Sequence, residues 1–442
     1  MNALLSTWRI RQFNVRPWLL ALVLPWLLAL TGCDTSSTRQ DPSPVTPTPT
    51  LLPVEARSAI FEEVWETVHT HYVFSNGRGA DWMKLHDEYK PKALQASNVD
   101  EFYAAIKKMV EQLEDDHSGY LAPWEAREQD AFNSGNTEYA GIGISGQPRG
   151  SLEFMEYVYP DSPAEAAGLK RRDYITAVDG QPFTDADTES MKIRGPVGTS
   201  VRLTVRSPGQ PPRDITIVRR HITGEENPAL TQLESDPSIG YLLIPTFWLQ
   251  DMDKRVEQGL LDFTNQFAGQ GRTLKGLIID LRSNEGGYGT ATDGILGQFM
   301  EGVIGVTRLN DASVQYSHDP LRTVERGRLF DRLRSTPLVV LIDQHTQSNG
   351  EVFAAALQSK GRAKVVGTRS AGNTENVEEY NFSDGSRLWL ATAYFELWDG
   401  TNLEGRGVSP DVAIDVDWTS YTEREDPHVL EAVKIIQQAA GN

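Results

Sequence analysis

The chain has 442 residues, a formal charge of −19 and 39% hydrophobic residues, enough for two or three domains with a sizeable core. Arg9, Arg11 and Arg16 are the only charges before Cys33, so loss of that leader takes the charge to −22. So acidic a body excludes nucleic acid and anionic membrane surfaces as direct partners, and a single cysteine excludes an internal disulfide and a cysteine zinc site.

Residues 1–32 read as a signal peptide: an arginine-bearing stretch, then the apolar run in "PWLLALVLPWLLALTGC" ending in small residues. That run is short and Pro-interrupted, unlike a transmembrane helix. "LTGC", Leu30 to Cys33, resembles the lipobox of bacterial lipoproteins. The resemblance implies cleavage before Cys33, a lipid on its new N-terminus, and anchorage in the bacterial cell envelope facing the periplasm. Asp34 directly after it implies the inner rather than the outer membrane. Residues 33–55, rich in Pro, Thr and Ser, cannot bury a core and are expected to form an extended tether.

Residues 56–133 are expected to be helical. "RSAIFEEVWETVHTHYVF" places Ile60, Val64, Val68 and Tyr72 at helical spacing. "NVDEFYAAIKKMVEQL" repeats the pattern after Asn98, an N-cap with Glu101 three residues on. The pattern runs out at "EDDHSGYLAP", where Gly119 and Pro123 stop it.

Residues 134–222 change period. "YAGIGISG" and "LEFMEYVYP" read as strands, "SPAEAAGL" as a short helix, and "DYITAVDGQPF" as a hairpin turning at Asp179-Gly180. With "GPVGTSVRLTVRSPG" following, this order resembles a PDZ domain. The resemblance implies that an extended polypeptide adds as a strand, its terminal carboxylate received by the amides of Gly141, Ile142, Gly143 and Ile144.

Residues 223–442 alternate strands and helices: "IGYLLIPTFW", an amphipathic helix near Lys254 to Phe267, "LKGLIIDLRSNEGGYG", "TPLVVLID", "GEVFAAALQSKG" and "AKVVGT". Such alternation predicts an α/β core with a mostly parallel sheet buried on both faces. The expected fold is thus multidomain α/β: a helical domain, a PDZ-like β domain and the α/β core.

Two corners of that core could carry chemistry. Ser348 lies between the apolar run Leu338–Ile342 and a small helix, and Ser348-Asn349-Gly350-Glu351 has the residue types of a capping box. The same corner suits a nucleophile lifted off the strand end, with helix N-terminal amides beside it. Gly286 and Gly287, after "DLRSNE", can bring bare backbone amides to a substrate carbonyl, and Asn349 after the serine supplies a partner amide, as an oxyanion hole requires.

"LRSNEGG", "QSNGEVFAAAL", "GTRSAG" and "LEGRGVSPDV" stand in the order and spacing of the C-terminal processing (tail-specific) serine peptidases, which this chain resembles over roughly residues 56–415. The resemblance implies that Ser348 is the nucleophile. The Ser-Lys branch of that family carries a lysine 25 residues further on; here that position is Asn373, which cannot exchange the proton. Lys364 falls in a strand expected to be buried. The branch resembling the tricorn protease core takes a histidine from the helical leader, and His117 in "EDDHSGY" matches it, an imidazole being suited to proton exchange near neutral pH. Glu404 in "TNLEGRGVSPDV" matches the supporting carboxylate, with Ser118 and Asp116 as competing orienters of the ring.

The expected activity is hydrolysis of peptide bonds in envelope polypeptides, with the PDZ engaging the substrate chain. The alternative is a catalytically silent PDZ lipoprotein that binds protein tails; it should lack the serine, the histidine or the double glycine, and this chain has all three. No nucleotide loop, haem motif or metal-ligand spacing is present, so no cofactor and no metal are expected. Nothing in the pattern fixes an oligomeric state.

Overall fold

The structure, a computed structural model, describes residues 51–74, 80–115, 117–133, 140–148, 151–183, 192–222, 225–320 and 328–440. Cys33, Asp34, most of the tether and Asp116 lie outside the described residues.

The leader forms α1 (Val54–His71), α2 (Trp82–Leu94) and α3 (Val99–Val110). Asn98 caps α3 by accepting the Glu101 N–H at 2.9 Å, while the Glu101 carboxylate reaches past Asn98 to the Ser97 N–H at 2.8 Å. The helices bury Phe61, Val64, Phe102, Ile106 and Met109 in one cluster with Leu388 and Leu390 of a sheet described below. Glu114, at φ 51°, turns the chain out of the last helical turn. A short strand, β1 (Gly119–Leu121), and α4 (Pro123–Asn133) follow.

The PDZ block comprises β2 (Ala140–Gly141), β3 (Ile144–Pro148), β4 (Glu153–Val158), α5 (Pro163–Ala166), β5 (Tyr174–Val178), β6 (Gln181–Pro182), β7 (Ser200–Arg206), β8 (Arg213–Val218) and β9 (Arg220–His221). Asp179 and Gly180 both have positive φ, 49° and 80°, so the predicted two-residue hairpin turn forms between β5 and β6. Ile142, Met155, Ile175, Val201 and Leu203 share the core of this block, and β3 is an edge strand of its sheet.

The core sheet runs β10-β11-β12-β15-β16-β19: β10 (Ala229–Gln232), β11 (Ile239–Leu243), β12 (Gly276–Asp280), β15 (Leu338–Ile342), β16 (Ala363–Gly367) and β19 (Val412–Ala413). All neighbours are parallel except the β10–β11 edge pair. Alternate residues face opposite layers. Ile279 and Val340 pack with α6 (Met252–Gly269), α7 (Gly289–Leu296) and α9 (Asn349–Ser359), whereas Ile278, Val339 and Leu341 pack with Ala432 and Ile436 of α10 (Pro427–Ala440). Helix α8 (Arg328–Leu333) adds Leu329 and Leu333 to the first layer. Burial on both faces is why these strands are continuous apolar runs.

A second sheet contains β13 (Gly305–Leu309), β14 (Val314–His318), β17 (Glu375–Asn381) and β18 (Arg387–Leu397). Its central strand β18 pairs antiparallel with β1 at residues 387–389, with β13 at 393–397 and with β17 at 387–394. Ala391 fixes the leader at two points, accepting the Val73 N–H at 2.9 Å and donating to Ser118 Oγ at 3.1 Å.

The PDZ block is fastened to the core by buried ions. Arg171 reaches Asp280 at 3.1 Å and Arg282 binds the same carboxylate at 2.7 and 2.8 Å. Arg282 also meets Asp426 at 2.9 Å, and Arg172 joins that carboxylate. Burial opposes the charge on Asp280, but Arg282 and Arg171 outweigh it and hold the carboxyl well below its usual range.

Candidate active site

Ser348 stands at the corner between β15 and α9 with φ 50° and ψ −124°, a backbone conformation rare for a side-chain-bearing residue. The corner is laced to the loop after β12. Thr346 Oγ1 donates to the Leu281 carbonyl at 2.9 Å, and the Gln347 N–H donates to the Asn284 carbonyl at 2.9 Å. The Ser348 N–H donates to the Asn373 carbonyl at 2.8 Å and to Glu351 Oε2 at 3.2 Å. The Ser348 carbonyl, rather than its hydroxyl, takes the Glu351 N–H at 2.9 Å, and the hydroxyl makes no cap bond. The cap residue types are there, and the hydroxyl is left over for other work.

Glu351 is fully buried and accepts from the Ser348, Gly372 and Asn373 N–H groups and from Ser370 Oγ, the last three at 2.7, 2.8 and 2.6 Å. Burial raises its carboxyl above the ordinary value while those donors work against the rise. It organises the 370–373 loop under the serine.

The two glycines differ. The Gly286 N–H is committed to Asn284 Oδ1 at 2.8 Å, which corrects the expectation that it serves as an oxyanion donor. Gly286 instead supplies room: at φ +86°, a Cβ there would lie 2.6 Å from Ser348 Cβ and 2.9 Å from the Asn349 nitrogen. The N–H groups of Gly287 and Asn349 have no acceptor among the described residues. They are tied together by Asn349 Nδ2, which donates to the Gly287 carbonyl at 2.7 Å. Two preorganised donors beside one hydroxyl can hold a developing oxyanion.

His117 comes to the same loop from the leader. Its Nδ1 lies 2.8 Å from Glu375 Oε2, and that carboxylate is buried. Glu375 is two residues beyond Asn373, whose carbonyl holds the Ser348 N–H. Asp115 orders the turn, accepting the His117 N–H at 3.0 Å and also the Ser118 N–H. No hydrogen bond joins Ser348 Oγ to His117 Nε2; catalytic pairs in unliganded sites are often long and tighten on binding.

Other predicted residues lie nearby. Ser118 Oγ accepts the Ala391 N–H at 3.1 Å and so anchors the leader to β18. Glu404 accepts the Thr374 N–H at 2.8 Å, one residue from Glu375. Asn373 occupies the place the Ser-Lys branch gives to lysine, and its Nδ2 faces Gln347 Oε1 at 3.4 Å. Lys364, expected in a buried strand, is on β16 with its side chain exposed and paired to Asp411 at 2.7 Å. The strand is buried; that alternate position is not.

Glu375 escaped sequence reasoning. It opens "ENVEEY", where acids recur on a strand, and only the pairing of β17 with β18 sets it apart.

In the PDZ block Gly141 pairs with Arg220, the Ile142 carbonyl accepts the Ala164 N–H at 2.8 Å, and Gly143 turns at φ +85° against Ser162. Ile144 opens β3 opposite Val158. The N–H groups of Ile142 and Gly143 have no acceptor among the described residues. No group of three or more metal-ligating side chains converges among the described residues.

Residues 238–414 match the model of peptidase family S41, residues 154–207 that of the PDZ domain, and residues 53–111 that of the tricorn protease C1 domain. The carboxyl-terminal-processing protease of Synechocystis sp. is 28% identical over 387 residues, covering 86% of each chain. The chloroplastic carboxyl-terminal-processing peptidase 2 of Arabidopsis thaliana is 28% identical over 380 residues, 80% of this chain and 68% of that one. The solved photosystem II D1 C-terminal processing protease superposes with a TM-score of 0.59 at 23% identity, over 83% of this chain and 94% of that one. A putative S41 protease from Bacteroides fragilis gives 0.58 at 17% identity, over 85% and 97%. The last two share the fold.

Proposed function

We propose that the chain is a serine peptidase, a reading supported by the match of residues 238–414 to peptidase family S41 and by its carboxyl-terminal-processing relatives, with Ser348 its nucleophile and His117 its general base. One observation carries the choice of base: the buried carboxylate of Glu375, two residues beyond the Asn373 carbonyl that holds the Ser348 N–H, fixes Nδ1 of His117. With Nδ1 so engaged, Nε2 is the nitrogen left to exchange a proton.

His117 Nε2 takes the Ser348 hydroxyl proton as Oγ bonds to the scissile carbonyl carbon. The carbonyl π electrons move to oxygen, and the Gly287 and Asn349 N–H groups donate to that oxyanion. Collapse breaks the C–N bond, and the leaving nitrogen takes the proton from Nε2, leaving an ester on Ser348. Water then attacks the ester with His117 taking one of its protons; collapse returns that proton to Ser348 Oγ and releases the new carboxylic acid, which ionises by losing its own proton to solvent. Glu375 stabilises the imidazolium formed in each half.

The PDZ domain engages the substrate chain, adding it to β3 with a terminal carboxylate on the Ile142 and Gly143 N–H groups. Lipidation of Cys33 anchors the enzyme to the bacterial envelope, with the inner membrane favoured by Asp34, so its substrates are envelope polypeptides. Fluorophosphonate labelling and proteolysis of an unfolded protein by the full chain in detergent test the mechanism. Both should vanish in Ser348→Ala, and proteolysis should vanish in His117→Ala. Proteolysis that persists without His117 removes it as base. Palmitate incorporation lost in Cys33→Ala tests the anchor.

A further inference from the structure

The cleft between the PDZ block and the core has a wall that the proposed chemistry does not use. It encloses about 200 Å³ and extends from Ser145 on β3 and Tyr157 on β4 to Thr246, Trp248 and Glu285 of the core. Since β3 is the free edge to which a chain would add, a polypeptide laid along it is led into this cleft.

Trp248 is the unusual member. Its side chain is 61% exposed, although it sits where Phe247 bridges in parallel to Gly287. Its nitrogen is so close to Gly287 that a Cβ on that glycine would come within 2.3 Å of it. Trp248 is also held: its N–H donates to Thr246 Oγ1 at 3.1 Å, and the Tyr288 ring abuts it edge-on at 5.5 Å and 75°. Tyr288 is itself pinned by its N–H to the Phe247 carbonyl at 2.9 Å. An indole braced on one side, open on the other and one residue from an oxyanion donor is preorganised to meet the substrate beside its scissile bond.

The charges around it narrow the class of side chain. Glu226 and Glu285 line the cleft with Trp248. The lining arginines, Arg171 and Arg282, are already answered by the buried Asp280. A lysine or arginine fits such a place: its aliphatic stem lies on the ring, its cation is attracted to the indole face, and its head reaches a carboxylate. An acidic residue would meet like charge there.

We infer that Trp248, with Glu226 across the cleft, selects a lysine or arginine beside the scissile bond of the polypeptide. The inference rests on the reading that the scissile carbonyl binds at Gly287 and Asn349.

The test uses the full chain in detergent and fluorogenic peptides identical except at one position, placed in turn on either side of the cleaved bond, bearing Lys, Arg, norleucine or Glu. The Lys and Arg peptides should exceed norleucine about tenfold in kcat/KM, chiefly through KM, the scale of one desolvated cation–π contact. Trp248→Ala should bring Lys down to norleucine, Trp248→Phe should keep part of the preference, and Glu226→Gln should narrow the gap between Lys and Glu peptides. The conservative Trp248→Phe and Glu226→Gln carry the test if Trp248→Ala does not fold. Equal cleavage of Lys and norleucine peptides by the unmodified chain, or a preference untouched by all three substitutions, overturns the inference. Fluorophosphonate labelling separates the two readings: labelling with a flat preference overturns this inference alone, whereas an unlabelled Ser348 overturns the nucleophile and the inference together.

Discussion

Adding one methyl group at residue 286 probes the active-site geometry with little other disturbance. Gly286 has φ +86°, where a side-chain-bearing L-residue costs about 1–2 kcal/mol. The added Cβ of Gly286→Ala would also lie 2.6 Å from Ser348 Cβ and 2.9 Å from the Asn349 nitrogen. Carbon atoms in good contact stand about 3.5–4.0 Å apart, so either the glycine turn or the serine corner must retreat by roughly 1 Å. Both carry proposed catalytic groups, and the Asn349–Gly287 bond couples them. Displacing an oxyanion donor costs about 10²- to 10³-fold in kcat, roughly 3–4 kcal/mol of transition-state stabilisation. KM should hold, because the PDZ edge strand is untouched. The measurement is kcat and KM on a peptide, with the melting temperature and the fluorophosphonate labelling rate beside them. A folded Gly286→Ala protein with kcat within about threefold of the unmodified chain would refute the argument that this glycine exists to let Ser348 and the proposed oxyanion amides approach.

Glu375→Gln should lower kcat by about 10²- to 10⁴-fold with KM little changed, because the neutral amide cannot stabilise an imidazolium, whereas Glu404→Gln, which alters a backbone contact to Thr374, should cost less than about tenfold; equal losses in a peptide assay would make both carboxylates partners of the base. Burial pushes the Glu153 carboxyl up to about 7 against the partial help of Arg194. A carboxyl raised in the folded state favours folding while protonated, so this contribution is full below about pH 4.5 and is lost as pH rises through about 7. Urea unfolding should therefore show stability falling by on the order of 2 kcal/mol between pH 5 and pH 8, a fall that Glu153→Gln abolishes. Asp426→Asn leaves Arg172 buried beside a neutral amide, while Arg282 keeps Asp280, and should destabilise the fold by about 3–5 kcal/mol in the same assay; a change under 1 kcal/mol would mean that water already reaches the Arg172 guanidinium group.

Much of this architecture is legible in the sequence because its signals are local. The helical spacing of Ile60, Val64 and Val68, the Asp179-Gly180 turn and the all-apolar Leu338–Ile342 strand each follow from a few neighbouring residues. Ser348 and Gly287 are legible for the same reason, as strand-end corners with small neighbours. What was hidden depends on contacts across long separations. Glu375 is 258 residues from His117 and sits among similar acids. The pair Arg171-Arg172 carries no local signal of its partners, Asp280 and Asp426, 109 and 254 residues away. The distinction between Gly286 and Gly287 turns on one side-chain acceptor, Asn284 Oδ1, whose direction no spacing rule supplies.

The same separation explains why the loop from Ser370 to Glu375 matters more than its length suggests. Ser348 belongs to the core sheet, and the His117 imidazole to a turn that Asp115 orders and Ser118 ties to Ala391 on the second sheet. These two layers could drift independently, and proton transfer fails when its partners miss by an ångström. Asn373 gives its carbonyl to the Ser348 N–H, and two residues later Glu375 takes the ring of His117. Glu351 holds the near end of that span through the Ser370 hydroxyl and the Gly372 and Asn373 N–H groups, and Glu404 holds Thr374 within it. A buried carboxylate raised by burial and met by four donors is costly to leave unsatisfied, so the loop has one favoured path, and that path sets the distance between the proposed base, His117, and the proposed nucleophile, Ser348.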